Sequence, residues 1–216
     1  MIDLGVSANG LQPMKSLRVL VADDDGLTLM LLQRILASFG HEVVAVAGDG
    51  EQAVQLSRET NPDLLILDIR MPVMDGLEAA RKIQSERPVP IIILSAHSES
   101  GLGSEAGSAG ASAYLVKPFT PEQLTPAIEL ALVNFEKSRQ LQYQIQRMSE
   151  AMEARKLIER AKGILMRRTG AGEETSYLKL QRTARSENRK LVDVARSIVN
   201  ADQQQREDKP PPQPAS

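Results

Sequence analysis

Residues 64–76 read Leu-Leu-Ile-Leu-Asp-Ile-Arg-Met-Pro-Val-Met-Asp-Gly. Four apolar residues lead to a lone acid, Asp68, and a proline-containing turn and a glycine follow. A short, continuously apolar run closed by turn residues is the pattern of a strand buried on both faces. Asp68 therefore stands at the carboxyl end of a buried strand. Other apolar runs of the same kind end on chemistry as well. One ends at Asp23-Asp24-Asp25, one at Ser95 and one at Lys117-Pro118.

The surrounding pattern alternates. Strands are predicted over 17–22, 42–47, 63–67, 90–94 and 113–116. Helices are predicted over 27–39, 50–58 and 77–85, with a Gly-, Ser- and Ala-rich helix around 100–109. Alternating strands and helices give an α/β fold, here a five-stranded, doubly wound parallel sheet. In such sheets ligands sit outside the carboxyl ends of the strands, at a topological switch point. Asp23, Asp24, Asp68, Ser95 and Lys117 all fall there, and that shared location says more than any one of them. Taken alone, the acidic run would read as a cap for the next helix.

Beyond the last strand, Thr120-Pro121-Glu122-Gln123 is a helix start, with proline at the first helical position and a capping box to Gln123. The helix can run from Pro121 to about Thr169, where Gly170 and Gly172 stop it. Along it Leu141, Ile145, Met148 and Met152 are spaced four, three and four, a short heptad seam. The seam suits either a homodimer or packing within the chain. Two shorter helices are predicted over 173–185 and 189–201, making a small three-helix all-α domain. The expected organisation is a mobile leader at 1–15, an α/β domain at 16–134, a helical linker at 135–154, a helical module at 155–201 and a disordered, proline-rich tail at 202–216.

Composition narrows the classes. The chain of 216 residues has no cysteine, which removes disulfides, thiolate metal sites and cysteine nucleophiles. No run is long and apolar enough to cross a bilayer, and no signal peptide is visible, so a cytoplasmic protein without a membrane partner is expected. Charge is divided: residues 1–134 carry a net −8 and residues 135–216 a net +6. An acidic half suits a cation, and a basic half suits a polyanion.

A carboxylate at a strand end can accept a phosphoryl group, as aspartyl-phosphate proteins do. The transfer depends on positioning and charge neutralisation. Clustered carboxylates repel one another without a cation, and Mg²⁺ suits them because it is hard and takes oxygen ligands. A lysine can then pair with a phosphate oxygen, and a hydroxyl can donate to it.

The motifs Val-Leu-Val-Ala-Asp-Asp-Asp, Leu-Ile-Leu-Asp-Ile-Arg-Met-Pro-Val-Met-Asp-Gly, Ile-Leu-Ser-Ala and Gly-Ala-Ser-Ala-Tyr-Leu-Val-Lys-Pro-Phe make residues 17–134 resemble the receiver domain of bacterial two-component response regulators. The resemblance implies a flavodoxin-like fold and that Asp68 is phosphorylated by a sensor histidine kinase. It implies Mg²⁺ on Asp24 and Asp68, Asp23 acting through water, and the Arg70 carbonyl completing the ligands. Asp25 stands where the family often has Glu, so which of the three consecutive acids touch the metal stays open. Ser95 would move toward the phosphoryl group, Tyr114 would rotate inward behind it, and Lys117 would contact the phosphate. The Lys117-Pro118 bond is expected to be cis. The protein would be a signalling protein rather than an enzyme, although such a domain carries out its own phosphoryl transfer and dephosphorylation. No small-molecule substrate is implied.

Residues 155–190 hold 11 basic and 4 acidic residues, and Tyr177 is their only aromatic. One aromatic makes no stacking platform for splayed bases, so a nucleic acid would meet a helical Arg and Lys surface. The segment Arg-Lys-Leu-Ile-Glu-Arg-Ala-Lys-Gly-Ile-Leu-Met-Arg at 155–167, with the two helices after it, resembles the ANTAR domain, a three-helix RNA-binding module of antiterminators. The resemblance implies RNA hairpins in leader transcripts as partners and transcription antitermination as output. Lys162, Arg167, Arg168, Arg182, Arg185, Arg189 and Lys190 are candidate contacts, chosen by charge and motif position. A DNA-binding output and a pure protein-interaction output are the alternatives. A phosphotransfer output is disfavoured because both histidines, His41 and His97, lie in the first domain.

Overall fold

The computed structural model describes residues 16–96 and 107–207, with side chains through 204. The expected leader at 1–15, His97, most of the predicted 100–109 helix, and residues 208–216 of the predicted tail lie outside the described residues. The chain divides into two compact units, Met1–Arg139 and Gln140–Ser216.

In the first unit the elements are β1 (Arg18–Ala22), α1 (Gly26–Ser38), β2 (Glu42–Ala47), α2 (Gly50–Thr60), β3 (Leu64–Asp68), α3 (Gly76–Glu86), β4 (Ile91–Ser95) and β5 (Ala113–Val116). The strands form one parallel sheet in the order β2-β1-β3-β4-β5. The order reverses between β1 and β3, so their carboxyl ends flank the crevice where such sheets bind ligands. Strands β3 and β4 each extend one residue past the predicted end, because Asp68 pairs with Leu94 and Ser95 with Val116. The two side chains of interest are thus held by the sheet itself rather than by the loops after it.

Strand periodicity of two sorts the core into layers. Leu20, Ala22, Leu65, Leu67, Ile91 and Ile93 pack with Val54, Leu77 and Ile83 from α2 and α3. Val19, Val21, Leu64, Ile66, Ile92 and Leu94 pack on the other face with Leu32 and Leu36 of α1. Leu124 and Ile128, from the start of the next helix, complete that second layer. Three aspartates start the first three helices: Asp25 accepts from the Leu27 and Thr28 amides, Asp49 from Gln52 and Asp75 from Glu78. Such caps satisfy amides that the helix cannot.

Helix α4 runs unbroken from Pro121 to Thr169, as its start signal and glycine stop predict. At its start the Gln123 side-chain oxygen accepts from the Thr120 amide at 3.0 Å, one half of the predicted capping box. Gly170 has φ +68°, the left-handed conformation that closes a helix without a Cβ clash. Helices α5 (Glu173–Ser186) and α6 (Leu191–Glu207) follow. Ala161 and Ile164 of α4, Leu180 and Ala184 of α5, and Val194, Ala195 and Val199 of α6 form the core of the second unit. Helix α6 outlasts its predicted end at 201, so disorder from 202 onward is corrected for 202–207. The Asp202 carboxylate, which accepts from Arg168 at 3.1 Å, gives that extra turn a tertiary anchor.

Candidate functional site

At the carboxyl edge of the sheet, Asp23 directly follows β1 and Asp68 ends β3. Both are buried, at 0 and 5 % exposure, while Asp24 faces solvent. One carboxylate oxygen from each of Asp23, Asp24 and Asp68 lies within 4.8 Å of the others. Lys117, just beyond β5, reaches into this group. Its Nζ lies 2.6 Å from Asp23 Oδ2 and 2.5 Å from Asp68 Oδ1. The Lys117 amide donates to the Ser95 carbonyl at 2.7 Å, which ties this loop to the end of β4. The Lys117–Pro118 bond is cis, as expected.

The remaining Asp68 oxygen accepts from the Arg70 amide at 2.7 Å. Burial pushes the Asp68 carboxyl above the usual range, against the pull of Lys117, and the neighbouring Asp23 charge adds to the rise. Burial also works against the Lys117 ammonium, but its bonds to Asp23 and Asp68 outweigh that and raise it. The group holds several acids against one lysine. Three hard oxygen donors this close together fit a divalent cation of the Mg²⁺ kind.

Among the consecutive acids, Asp25 is engaged elsewhere. Its carboxylate accepts from the Leu27 amide at 3.1 Å and from the Thr28 hydroxyl at 2.7 Å, which holds its pKa below the ordinary value. Ser95 is buried at 4 % exposure at the end of β4. Tyr114 lies in β5 opposite Ile93 and is 55 % exposed, its ring outward in a groove with Leu115, Gln123, Leu130 and Asn134.

Gly76 explains why a glycine must follow Asp75. A Cβ built there would fall 1.9 Å from the Asp68 carbonyl oxygen. Its amide donates to the Ile69 carbonyl at 2.9 Å. The amino end of α3 is thereby pressed onto the strand end that carries Asp68.

In the second unit the predicted basic residues separate by environment. Arg182, Arg185 and Lys190 are exposed. Arg168 bonds Asp202 at 3.1 Å, and Arg167 lies 3.8 Å from the same carboxylate. Arg189 braces the α5–α6 turn, bonding Glu187 at 2.8 Å and Ser197 Oγ at 2.7 Å. Lys162 departs most from expectation: it is buried, at 8 % exposure, and held by Glu159 and Glu173. Sequence reasoning passed over Lys179, which is exposed on α5. Its spacing of three from Arg182 was the available signal.

Comparison with known proteins agrees with this geometry. The receiver domain model of response regulators matches residues 19–129, and the ANTAR domain model matches residues 146–199. This chain is a response regulator with a receiver and an ANTAR domain. It is 43 % identical over 182 residues to the transcriptional regulatory protein PdtaR of Mycobacterium tuberculosis, covering 84 % of this chain and 89 % of that protein. It is 40 % identical to the chemotaxis protein CheY of Bacillus subtilis, covering 53 % of this chain and 97 % of CheY. Among solved structures, a LuxR-family two-component response regulator from Aurantimonas superposes with a TM-score of 0.53 at 34 % identity, covering 55 % of this chain and 86 % of that one. A Borrelia burgdorferi CheX–CheY complex with beryllofluoride and Mg²⁺ superposes with a TM-score of 0.50 at 31 % identity, covering 51 % of this chain and 85 % of that one. The response regulator is a signalling protein, not a metabolic enzyme. No helix among its described residues is long and apolar enough to cross a membrane.

Proposed function

We propose that this response regulator accepts a phosphoryl group on Asp68 from a sensor histidine kinase, and that the phosphorylated form binds RNA hairpins to effect transcription antitermination. The observation that carries the reading is the convergence of Asp23, Asp24, Asp68 and Lys117 on one strand edge, in a chain whose other unit is a basic helical module. An Asp68 carboxylate oxygen attacks phosphorus, the bond from phosphorus to the kinase histidine breaks, and the imidazole leaves with the electron pair. Lys117 Nζ, already beside Asp68, is placed to bond a phosphoryl oxygen. Asp23, Asp24 and Asp68 would hold Mg²⁺ together with the Arg70 carbonyl, and the ion would offset the phosphoryl charge. Hydrolysis of the acyl phosphate by water restores Asp68.

Phosphorylation adds about −1.5 to −2 of charge. Ser95, at the end of the strand next to the one that carries Asp68, would donate to the new oxygens, and its movement would leave room for Tyr114 to turn inward. The exposed Tyr114 ring next to Leu130 makes that face, continuous with helix α4, the readout. Leu141, Ile145, Met148 and Met152 are all more than half exposed, which suits a homodimer seam. Two modules would then meet two hairpins with gained avidity. Light scattering that gives a monomer with and without a phosphoryl mimic would rule this seam out. The cytoplasm is the compartment this reading requires.

The test is a titration of a two-hairpin RNA and a DNA duplex of matching sequence into the full chain. It is run with Mg²⁺, with and without beryllofluoride, with Asp68→Ala as control. RNA-selective binding that tightens with the mimic in the native protein alone supports the proposal. Preference for the duplex favours a DNA-binding output, and retention of neither favours a protein-interaction output.

A further inference from the structure

The second unit carries more cations than it offers to solvent as free charge. Lys162 is the extreme case. An ammonium has three donors, and three acceptors surround this one: Glu159 Oε1 at 3.1 Å, Glu159 Oε2 at 2.9 Å and Glu173 Oε1 at 2.6 Å. The side chain is 10 % exposed, and Nζ sits 6.0 Å from the centre of the Tyr177 ring. The Glu173 bond is the first cause, and the Glu159 bond the second, of an ammonium that titrates above its ordinary range. No donor remains for a phosphate. The group as a whole carries one positive and two negative charges, and both carboxylates reach solvent. The Lys162 charge is thus already matched by carboxylates before a polyanion approaches.

The other face of α5 is different. Ser176, Leu180 and Ala184 are buried at spacings of four and fix which side faces the core. Lys179, Arg182 and Arg185 follow one another at spacings of three on the outer side, and all three are exposed. Three-residue steps keep them within about 120° of the helix circumference and about 9 Å of its length. Among the described residues, no ion pair or hydrogen bond engages their charged groups. Lys190 is also exposed, just beyond the turn that follows α5. Leu178, 44 % exposed, lies one turn before Arg182 on the same side.

Resting on the RNA reading above, we infer that the RNA backbone lies along the outer face of α5, its phosphates taken by Lys179, Arg182 and Arg185, and that Lys162 instead clamps the first turn of α5 to helix α4. Lys162 is a positioning residue. It joins residue 162 on one helix to residue 173 on the next, across the Gly170–Gly172 corner. The stripe is presented to RNA only while that corner holds.

The experiment is the salt dependence of two-hairpin RNA binding by the full chain with Mg²⁺ and beryllofluoride. Lys179→Gln, Arg182→Gln, Arg185→Gln, Lys162→Met and Lys162→Arg are compared with the native protein. Each stripe substitution removes one phosphate contact, so the slope of log K against log salt falls by about 0.7 to 0.9. Thermal unfolding of these three variants stays at the native midpoint. Lys162→Met lowers the unfolding midpoint, keeps the native salt slope in the folded fraction, and is rescued in midpoint by Lys162→Arg. If Lys162→Met does not fold, Glu173→Ala replaces it: it removes one acceptor of the Lys162 ammonium, and an unchanged slope is the expected result. Native slopes in all three stripe variants, or a slope loss of the same size in Lys162→Met, would overturn the inference while leaving RNA binding intact. No RNA retention by the native chain would instead remove the functional reading and this inference with it.

Discussion

The aspartate pocket and the basic module hold charge in opposite ways. In the pocket, Asp23 and Asp68 are buried and meet Lys117 at fixed distances, because each sits at the end of a strand or just past it. In the module, Lys179, Arg182 and Arg185 stand on the solvent side of a helix, and nothing but spacing groups them. The difference teaches where charge couples to folding. Buried charge carries a large desolvation cost, so its partners must be exact in place, and disturbing one disturbs stability. Exposed charge costs little to hold and can be changed with little effect on the fold.

This contrast can be broken at several points. The largest effect is expected at Gly76. Gly76→Ala drives a methyl against the Asp68 carbonyl, which only backbone movement relieves, and should cost about 3 kcal/mol in urea unfolding. Unchanged stability would mean that α3 does not press on β3 as described. Next is Lys117→Met, which leaves Asp23 and Asp68 facing each other uncompensated. A loss of about 2 to 3 kcal/mol in metal-free buffer is expected, with added Mg²⁺ recovering part of it as a rise in the unfolding midpoint.

Asp68→Asn should act in the reverse direction. A carboxyl whose folded pKa is raised favours folding in its neutral form. Its contribution is complete below the ordinary carboxylate pKa and is lost as pH rises through the raised folded value. The asparagine variant, unable to ionise, should therefore unfold a few degrees higher at neutral pH with chelator present. That advantage should shrink on acidification, and midpoints measured against pH for both proteins decide it.

Smaller again is Ser176→Ala in the module core. Ser176 is 1 % exposed and its hydroxyl has no hydrogen-bond partner among the described residues, so removing it should stabilise by roughly 1 kcal/mol. Smallest is Arg182→Gln, whose effect on denaturant unfolding should stay within about 0.5 kcal/mol. A large loss there would show that the outer face of α5 is structural and would dissolve the contrast.

Legibility followed the same divide. Alternation of apolar strands with capped helices was enough to place the five strands and the three helices between the first four of them. It placed Asp68, Ser95 and Lys117 on one edge, because a parallel sheet sends every strand the same way. Strand ends were misjudged by one residue at Asp68 and Ser95, since the pairing that extends them involves partners 26 and 21 residues away. The end of α6 was placed too early, because residues 202–207 are polar and their helical state draws on tertiary contacts such as Arg168–Asp202. Lys162 was expected to be open to RNA, but Glu159 and Glu173 hold it: a lysine in a basic motif looks free until the residues opposite it are known. Asp25 was left open for a similar reason, since a carboxylate can cap or coordinate and only the conformation at Leu27 and Thr28 decides.

By itself, then, the sequence determined the α/β order, the long helix and the shared edge of the acids and the lysine. Hydrophobic periodicity and strand direction are local properties, and they propagate through the sheet without ambiguity. Only the tertiary structure decided which charges are already engaged, at Lys117 and Lys162 by ion pairs and at Asp25 by a helix cap, and which remain open, at Lys179, Arg182 and Arg185. The physical reason is that an ion pair is set by distances of a few ångströms between groups on different elements, and linear spacing carries no such distance once the chain has turned.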